Sequence, residues 1–439
     1  MSTNYCEKKI LILGMGITGI SCMNFFLKKG IIPKMLDESL SPKYLYKIPS
    51  AIKYQLGEFK KKWILESDLI IISPGISPFK SILIQARLLG IKIVSDIELF
   101  ALEAKHPIIS ITGTNGKSTV STIIQKIAKN IGYHAVLGGN IGFPVLNMLE
   151  NKEANLYIIE LSSFQLDMTF NLKSKISVIL NITEDHINRY PYGFEQYKKS
   201  KLSIYNKSEI CIFNSEDKLN IPLNINKKNW ISFGTNKKHY NIFYKKKTFL
   251  CYQDEIIIDT DQLSIHGYHN YLNILACLAI SDAMKFPRKS IIKEIISFKG
   301  LPHRLQLIHN NNGIKWINDS KSTNVHSTIS AINSIHTPGV IWLLLGGDSK
   351  SSNFNILKKY LIEQSVKIYC FGKDGFILSQ LYKKKSTYVK TLQKSLFLIS
   401  KLVKPGDIVL LSPGCSSLDQ FINFEERGDI FTKLAKEIG

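Results

Sequence analysis

The chain has 439 residues, is 44% hydrophobic and 21% charged, and carries a formal net charge of +22. That composition is ordinary for a soluble globular protein and leaves room for two to four domains at roughly 100–200 residues each. The lysines are scattered, as in "NIPLNINKKNW" and "SIIKEIISFKG", with no arginine-rich tract; they read as solvated surface charge, which argues against a nucleic-acid or membrane partner.

Seven cysteines (Cys6, Cys22, Cys211, Cys251, Cys277, Cys370, Cys415) form no CxxC pair. An odd count without metal spacing argues against a disulfide framework or a zinc site, and reduced thiols imply the cytoplasm. Near the N-terminus, "EKK" before "ILILGMGITGISCMNFFL" mimics a secretory signal. Three glycines interrupt the apolar run and no small-residue cleavage site follows, so strand–turn–helix is the better reading.

In chain order, apolar runs alternate with helix-length segments, which implies α/β units and parallel sheets. Three blocks are expected, at 1–95, 96–300 and 301–439. The first holds "KILILG", "PKMLD", "DLIIISPG" and "KIVSD". Gly14, Gly16 and Gly19 form a G-x-G-x-x-G between a strand and a helix, and Asp37 follows about 18 residues on. Alone this suggests NAD or FAD. A complete dinucleotide fold needs two mononucleotide halves, however, and a single half can hold a nucleotide diphosphate instead. "SPGI" closes a strand where a phosphate can approach Gly75.

The second block opens with "PIISITGTNGKSTVST". The standard Walker A spacing is not met, since Ile111 stands where its first glycine belongs. The physics of the shorter loop is the same. Gly113, Thr114, Asn115 and Gly116 let backbone N–H groups turn onto an anion, and a helix starts at the phosphates with its positive dipole end. Lys117 reaches the outer phosphates, Ser118 holds Mg²⁺, and Thr119 completes the motif. Further on, "IIELSSFQL" sets Glu160 at a strand end as a Mg²⁺ ligand. "NITEDHINRYPYGFEQYKKSKLSIY" supplies His186, a candidate for metal or substrate phosphate, and Lys201.

"TGTNGKST" resembles the ATP loop of the Mur ligases and of the related folylpolyglutamate synthetases, which join a carboxylate to an amino acid through an acyl phosphate. The resemblance to Mur ligases runs through nearly the full chain, in "NITEDH", "GLPHR", "NDSK", "LLLGGD" and "SSLDQF". It implies three domains: a Rossmann-like UDP-binding domain, a central P-loop-type ATPase domain with a parallel sheet, and a Rossmann-like C-terminal domain. Within the family the likeness is to the D-glutamate-adding branch; the "DNPR" of the diaminopimelate-adding branch is absent. The implied reaction joins D-glutamate to UDP-N-acetylmuramoyl-L-alanine in peptidoglycan precursor synthesis, using ATP and two Mg²⁺ ions, in a monomer of the cytoplasm.

Residue by residue, the resemblance implies that Ile17, Thr18, Asp37, Gly75, Asn140 and His186 bind the UDP substrate. The family often has Thr-Arg after that aspartate; here Glu38-Ser39 stands there. Lys201 would be carbamylated, which turns a cation into a carboxylate-like Mg²⁺ ligand, beside Ser118, Glu160 and His186. Asn270 and Asn273, three apart on one helical face, would hold adenine. In the last block Arg304 aims a permanent, bidentate charge at phosphate, and Asp319 orients the nucleotide. Lys321, Thr323, Lys350, Ser417 and Phe424 match the positions that hold D-glutamate. Lys117, His186, Lys201 and Arg304 make up the catalytic set. Three rival readings use fewer of these residues: a folate-type ligase, a nucleic-acid-stimulated ATPase, and a nicotinamide dehydrogenase.

Overall fold

The computed structural model describes residues 5, 7–185, 187–221, 229–235, 239–350, 352–363, 365–381 and 383–439. The chain divides into two compact units, one formed by 1–182, 189–263 and 271–297, the other by 183–188, 264–270 and 298–439.

The first unit holds two sheets. The smaller contains β1 (Ile10–Leu13), β2 (Lys34–Asp37), β3 (Tyr54–Leu56), β4 (Leu69–Ile72) and β5 (Lys92–Val94), in the order β3-β2-β1-β4-β5. Every pairing is parallel. The runs "ILIL" and "LIII" are buried at every position, as parallel strands covered on both faces must be. The helix Ile17–Lys28 follows β1. A Cβ at Gly19 would lie 1.8 Å from the Gly14 carbonyl oxygen, so only glycine lets this helix pack directly on the turn below it.

The larger sheet contains β6 (Ile108–Thr112), β7 (Ala135–Gly139), β8 (Leu156–Glu160), β9 (Ile176–Ile179), β10 (Ile210–Asn214), β11 (Asn229–Gly234), β12 (Tyr240–Tyr244), β13 (Thr248–Tyr252) and β14 (Glu255–Asp259). Their order is β14-β13-β12-β11-β10-β9-β6-β8-β7, parallel from β7 to β12. Two antiparallel hairpins, β12–β13 and β13–β14, extend that edge. The helix Lys117–Asn130 buries Val120, Ile123, Ile124, Ile127 and Ala128, one stripe at helical spacing. The helix Tyr268–Ala283 is buried continuously from Asn273 to Ser281, as a core helix is.

The two sheets are joined through the helix Asp96–Glu103. Ser95 caps it by accepting the Glu98 N–H at 3.3 Å, and its own N–H donates to the Met168 carbonyl. The Glu98 carboxylate accepts the backbone N–H groups of Phe170 and Asn171 at 2.7 and 2.8 Å.

The second unit holds β15 (Gln306–Asn311), β16 (Ile314–Asn318), β17 (Ile341–Gly346), β18 (Val366–Phe371), β19 (Ser386–Tyr388) and β20 (Ile408–Leu411). The order is β15-β16-β20-β17-β18-β19, with β15 antiparallel to β16 and the rest parallel. Side chains alternate between two cores. Leu343, Leu345 and Leu410 pack with Val325 and Ile332 on one face. Trp342, Leu344, Val409 and Leu411 pack with Trp316 and Phe431 on the other. Alternation with helices on both faces is the doubly wound arrangement, and it delivers the strand-end loops that carry the candidate residues.

Candidate active site

The phosphate loop leaves β6 and enters the helix Lys117–Asn130. Gly116 sits at φ +88°, left-handed, and a Cβ there would come within 2.3 Å of Asn273 Oδ1. A side chain is thus excluded twice, by backbone strain and by contact. The loop is pinned from β9's far end. Asn181 Oδ1 accepts the Asn115 N–H at 2.8 Å, and its Nδ2 donates back to the Asn115 carbonyl at 3.0 Å. The Asn181 carbonyl takes the Thr114 N–H. Thr114 Oγ1 pairs with the Tyr197 hydroxyl at 2.9 Å. Ser118 and Thr119 are buried in the first helical turn.

Two lysines converge on this loop. Lys117 Nζ donates to the carbonyls of Gly113 and Thr114 at 2.8 and 2.9 Å. Lys201, on the helix Gly193–Leu202, is 2% exposed, and its Nζ donates to the same Gly113 carbonyl at 3.1 Å. Its Nζ also lies 4.9 Å from the Tyr197 ring centroid. Two ammonium groups on one carbonyl repel each other at close range.

Glu160 ends β8 and is the register partner of Ile111 on β6, one strand from the loop. It is 1% exposed. Oε1 accepts Asn140 Nδ2 at 2.7 Å, while the buried Oε2 has no hydrogen-bond partner among the described residues. An orphaned buried carboxylate oxygen is costly unless a ligand meets it, and this one suits a hard cation. Among the described residues no three His, Cys, Asp or Glu side chains group as a metal cage. Such a cation would therefore draw most of its ligands from phosphate, hydroxyl and water, as Mg²⁺ does. His186 lies outside the described residues.

In the first sheet, Asp37 ends β2 and accepts the backbone N–H groups of Met15 at 2.5 Å and Ser39 at 2.8 Å. Glu38 pairs with Lys80 at 2.5 Å. Ile17 is 56% exposed at the start of its helix, Thr18 half-buried beside it, and Gly75 exposed. Among the described residues the buried Ser73 Oγ has no hydrogen-bond partner, and it would lie 2.6 Å from a Cβ at Gly14. This hydroxyl between the first glycine and the "SPGI" turn escaped the sequence reading, since one serine in a strand-end turn has no distinctive pattern.

In the second unit, Arg304 lies between His303 and Leu305, both left-handed at φ +60° and +42°. The Leu305 N–H donates to Asp319 Oδ1 at 3.2 Å, and Asp319 Oδ2 accepts Ser322 Oγ at 2.5 Å and Ser412 Oγ at 2.8 Å. Burial nonetheless pushes the Asp319 carboxyl up to about 6, against those bonds and the Arg304 charge. His269 is pushed down to about 4, first by burial and then by Arg304. Asn270 Nδ2 donates to the His266 carbonyl at 2.8 Å. Asn273, three residues along the same helix, belongs to the first unit with the phosphate loop.

Four of the five candidates for the incoming amino acid stand on two linked loop systems, with Thr323 half-buried on the first. Lys321 Nζ lies 3.7 Å from the Phe424 ring centroid. Ser417 is buried, and its carbonyl takes the N–H groups of Gln420 and Phe421. Lys350, at φ +51°, pairs with Asp185 at 3.3 Å. Arg427, fully buried in the helix Phe424–Ile438, fastens the loops. Its Nε and Nη2 donate to Ser320 Oγ and the Ser320 carbonyl at 3.0 and 2.8 Å. Its Nη1 donates to the Cys415 carbonyl at 3.1 Å. Burial lowers its pKa to about 10, still charged at neutral pH. This arginine escapes the sequence reading, since within "FEERGDIFTKLAKEI" it looks like any surface charge in a polar run.

Comparison with known proteins covers all three parts of the chain. Residues 8–95 match the family model "Mur ligase MurD-like, N-terminal domain", 111–281 the "Mur ligase middle domain", and 303–415 the "Mur ligase, glutamate ligase domain". The chain is 63% identical over 440 residues to UDP-N-acetylmuramoylalanine--D-glutamate ligase of Buchnera aphidicola subsp. Schizaphis graminum, covering all of both chains. It is 44% identical to the protein of that name from Salmonella choleraesuis, over 99% of this chain and 100% of the other. Among solved structures it shares the fold of the UDP-N-acetylmuramate-alanine ligase MurC of Thermotoga maritima, with TM-score 0.62 and 16% identity over 98% of this chain and 100% of that one. The MurF ligase of Thermotoga maritima, solved with ADP, gives TM-score 0.62 and 16% identity over 99% and 97%.

Proposed function

From the premise that the chain belongs to the Mur ligase family, we propose that it joins D-glutamate to UDP-N-acetylmuramoyl-L-alanine, forming ADP and phosphate, in peptidoglycan precursor synthesis. The observation that carries the ATP chemistry is the loop itself: Gly116 left-handed before a helix start, with Lys117 beside it and the half-satisfied Glu160 one strand away. Family membership sets aside the dehydrogenase, nucleic-acid ATPase and folate-type readings. The three expected parts divide the work, 1–95 for the UDP substrate, 96–300 for ATP, and 301–439 for the amino acid.

The alanyl carboxylate attacks the γ-phosphorus of ATP, giving an acyl phosphate and ADP. The amine of D-glutamate then attacks the acyl carbon, and phosphate leaves from the tetrahedral intermediate. Loop N–H groups and Lys117 hold the phosphates, and Arg304 adds a permanent positive charge to the developing anion. Bound Mg²⁺, two ions in this reading, offsets repulsion between the γ-phosphate and the attacking carboxylate. Ser118 and Glu160 would hold one ion, and His186 with a carbamylated Lys201 the other. Crowding of Lys117 and Lys201 on the Gly113 carbonyl supports the carbamate, because CO₂ addition replaces a repelling cation with an anion. Asn270, Asn273 and Asp319 serve the nucleotide. Ile17, Thr18, Asp37, Gly75 and Asn140 serve the UDP substrate, with Ser73 Oγ added as a phosphate donor. Lys321, Thr323, Lys350, Ser417 and Phe424 serve D-glutamate.

The protein would act as a monomer in the cytoplasm. The six described cysteines are all buried and none of them is in a disulfide, and no described helix is long and apolar enough to cross a membrane. The deciding experiment measures phosphate release from ATP across a panel of D- and L-amino acids. Release that requires both UDP-N-acetylmuramoyl-L-alanine and D-glutamate is expected. Release without the UDP substrate, or with another amino acid preferred, would overturn the reading.

A further inference from the structure

Lys350 and Asp185 together present an ammonium and a carboxylate 3.3 Å apart, with side chains 14% and 12% exposed. An α-amino acid presents the same two charges in reverse. We propose that this pair recognises the zwitterion of the incoming amino acid, Lys350 taking a carboxylate and Asp185 the ammonium, so that Asp185 positions the nucleophilic nitrogen. The proposal rests on Lys350 being part of the acceptor site.

Three features favour this over an ordinary structural ion pair. Buried pairs roughly break even against their desolvation, so stability alone is a weak reason to keep one. The Lys350 backbone is also held in a costly left-handed conformation. It is fixed there by its N–H donating to Asp348 Oδ1 at 2.9 Å. Asp348 in turn exchanges two backbone hydrogen bonds with Ser416, at 3.0 and 2.8 Å. The lysine is thereby fixed to the loop that carries Ser417, another acceptor candidate. Finally, Asp185 is anchored on the other side. Asn324 Nδ2 approaches its Oδ2 at 3.4 Å while Lys350 approaches Oδ1, and Asn324 caps the helix Val325–Asn333 by accepting the Ser327 N–H. Backbone strain and two anchors spent on one ion pair are characteristic of a recognition site.

The test uses the full chain and two ligands that differ in one group. D-Glutamate has the ammonium; glutarate has both carboxylates and no amine. Asp185→Asn should raise KM for D-glutamate at least about 30-fold. KM for ATP and for the UDP substrate should stay within about twofold, and competitive inhibition by glutarate should be unchanged or tighter. Asp185→Glu, which keeps the charge, should fall between wild type and Asp185→Asn, and it serves if the asparagine variant does not fold. A merely structural role would weaken D-glutamate and glutarate together, and that result overturns the proposal, as does an unchanged KM for D-glutamate. Lys350→Met separates the underlying reading: it should weaken both ligands, and if it weakens neither, the acceptor-site assignment of Lys350 has failed.

Discussion

In the proposed site, the phosphate loop and the acceptor loops would solve the same problem, holding an anion, by opposite means. Residues 113–119 form one contiguous stretch whose shape comes from glycines, a strand end and a helix start, with Asn181 clasping the backbone. The acceptor candidates come from separate stretches around 185, 321, 350 and 417–424, and each is a side chain presented by a loop. The stretches around 321 and 417 are fastened by Arg427, which bonds Ser320 twice and Cys415 once from inside the fold. A backbone site tolerates change around it because its geometry is local. A site of dispersed side chains depends on whatever fixes their loops.

The largest expected effect breaks the first region. Lys201→Ala should lower turnover by about 10³-fold, since it removes a charge from the site of phosphoryl chemistry. A small carboxylate such as acetate should restore part of it by standing in for the carbamate. Steady-state kinetics with and without the added acid is the measurement, and activity equal to wild type would end the carbamate reading. The second effect targets the other region. Arg427→Lys cannot reproduce three donors in a fixed fork, so the unit should lose about 1–3 kcal/mol of stability for acceptors left unmet. KM for D-glutamate should rise about tenfold for a loss near 1.4 kcal/mol, while KM for the UDP substrate stays put. Equal shifts in both constants would show that Arg427 is only structural.

The same contrast explains what was legible in the sequence. "TGTNGKST" is readable because its function lies in consecutive residues. Buried parallel strands such as "LIII" and "IWLLLG" are readable because burial on both faces leaves continuous apolar runs. The hairpins β12–β14 were missed. They are short, half-exposed at the edge, and turn through lysines 245–247 and Gln253-Asp254, without the Asn-Gly or Asp-Gly signal of a tight hairpin. Asp185 was passed over beside the more conspicuous His186, and Arg427 within a charged helix. Their roles depend on partners 165 and 107 positions away, and long-range pairing leaves no local pattern.

Asp319, a nucleotide candidate two residues before Lys321, gives a sharp probe of the loop that carries both. Burial raises its carboxyl to about 6 from an ordinary 3.8, and the three hydrogen bonds and Arg304 recover only part of the difference. The folded state therefore binds a proton more tightly than the unfolded chain. The contribution of Asp319 to stability is greatest below pH 4, where both forms are protonated, and falls as pH rises toward 6, by at most about 3 kcal/mol. This runs opposite to the usual acid destabilisation by paired carboxylates. Asp319→Asn should remove that fall, leaving stability less dependent on pH between 4 and 6. Hydrogen exchange at the amides of β16 and β20, which carry Asn318 and Leu411 beside this carboxyl, reports on this unit alone. A wild-type fall equal to that of the asparagine variant would mean that the loop hydrogen bonds fully offset burial.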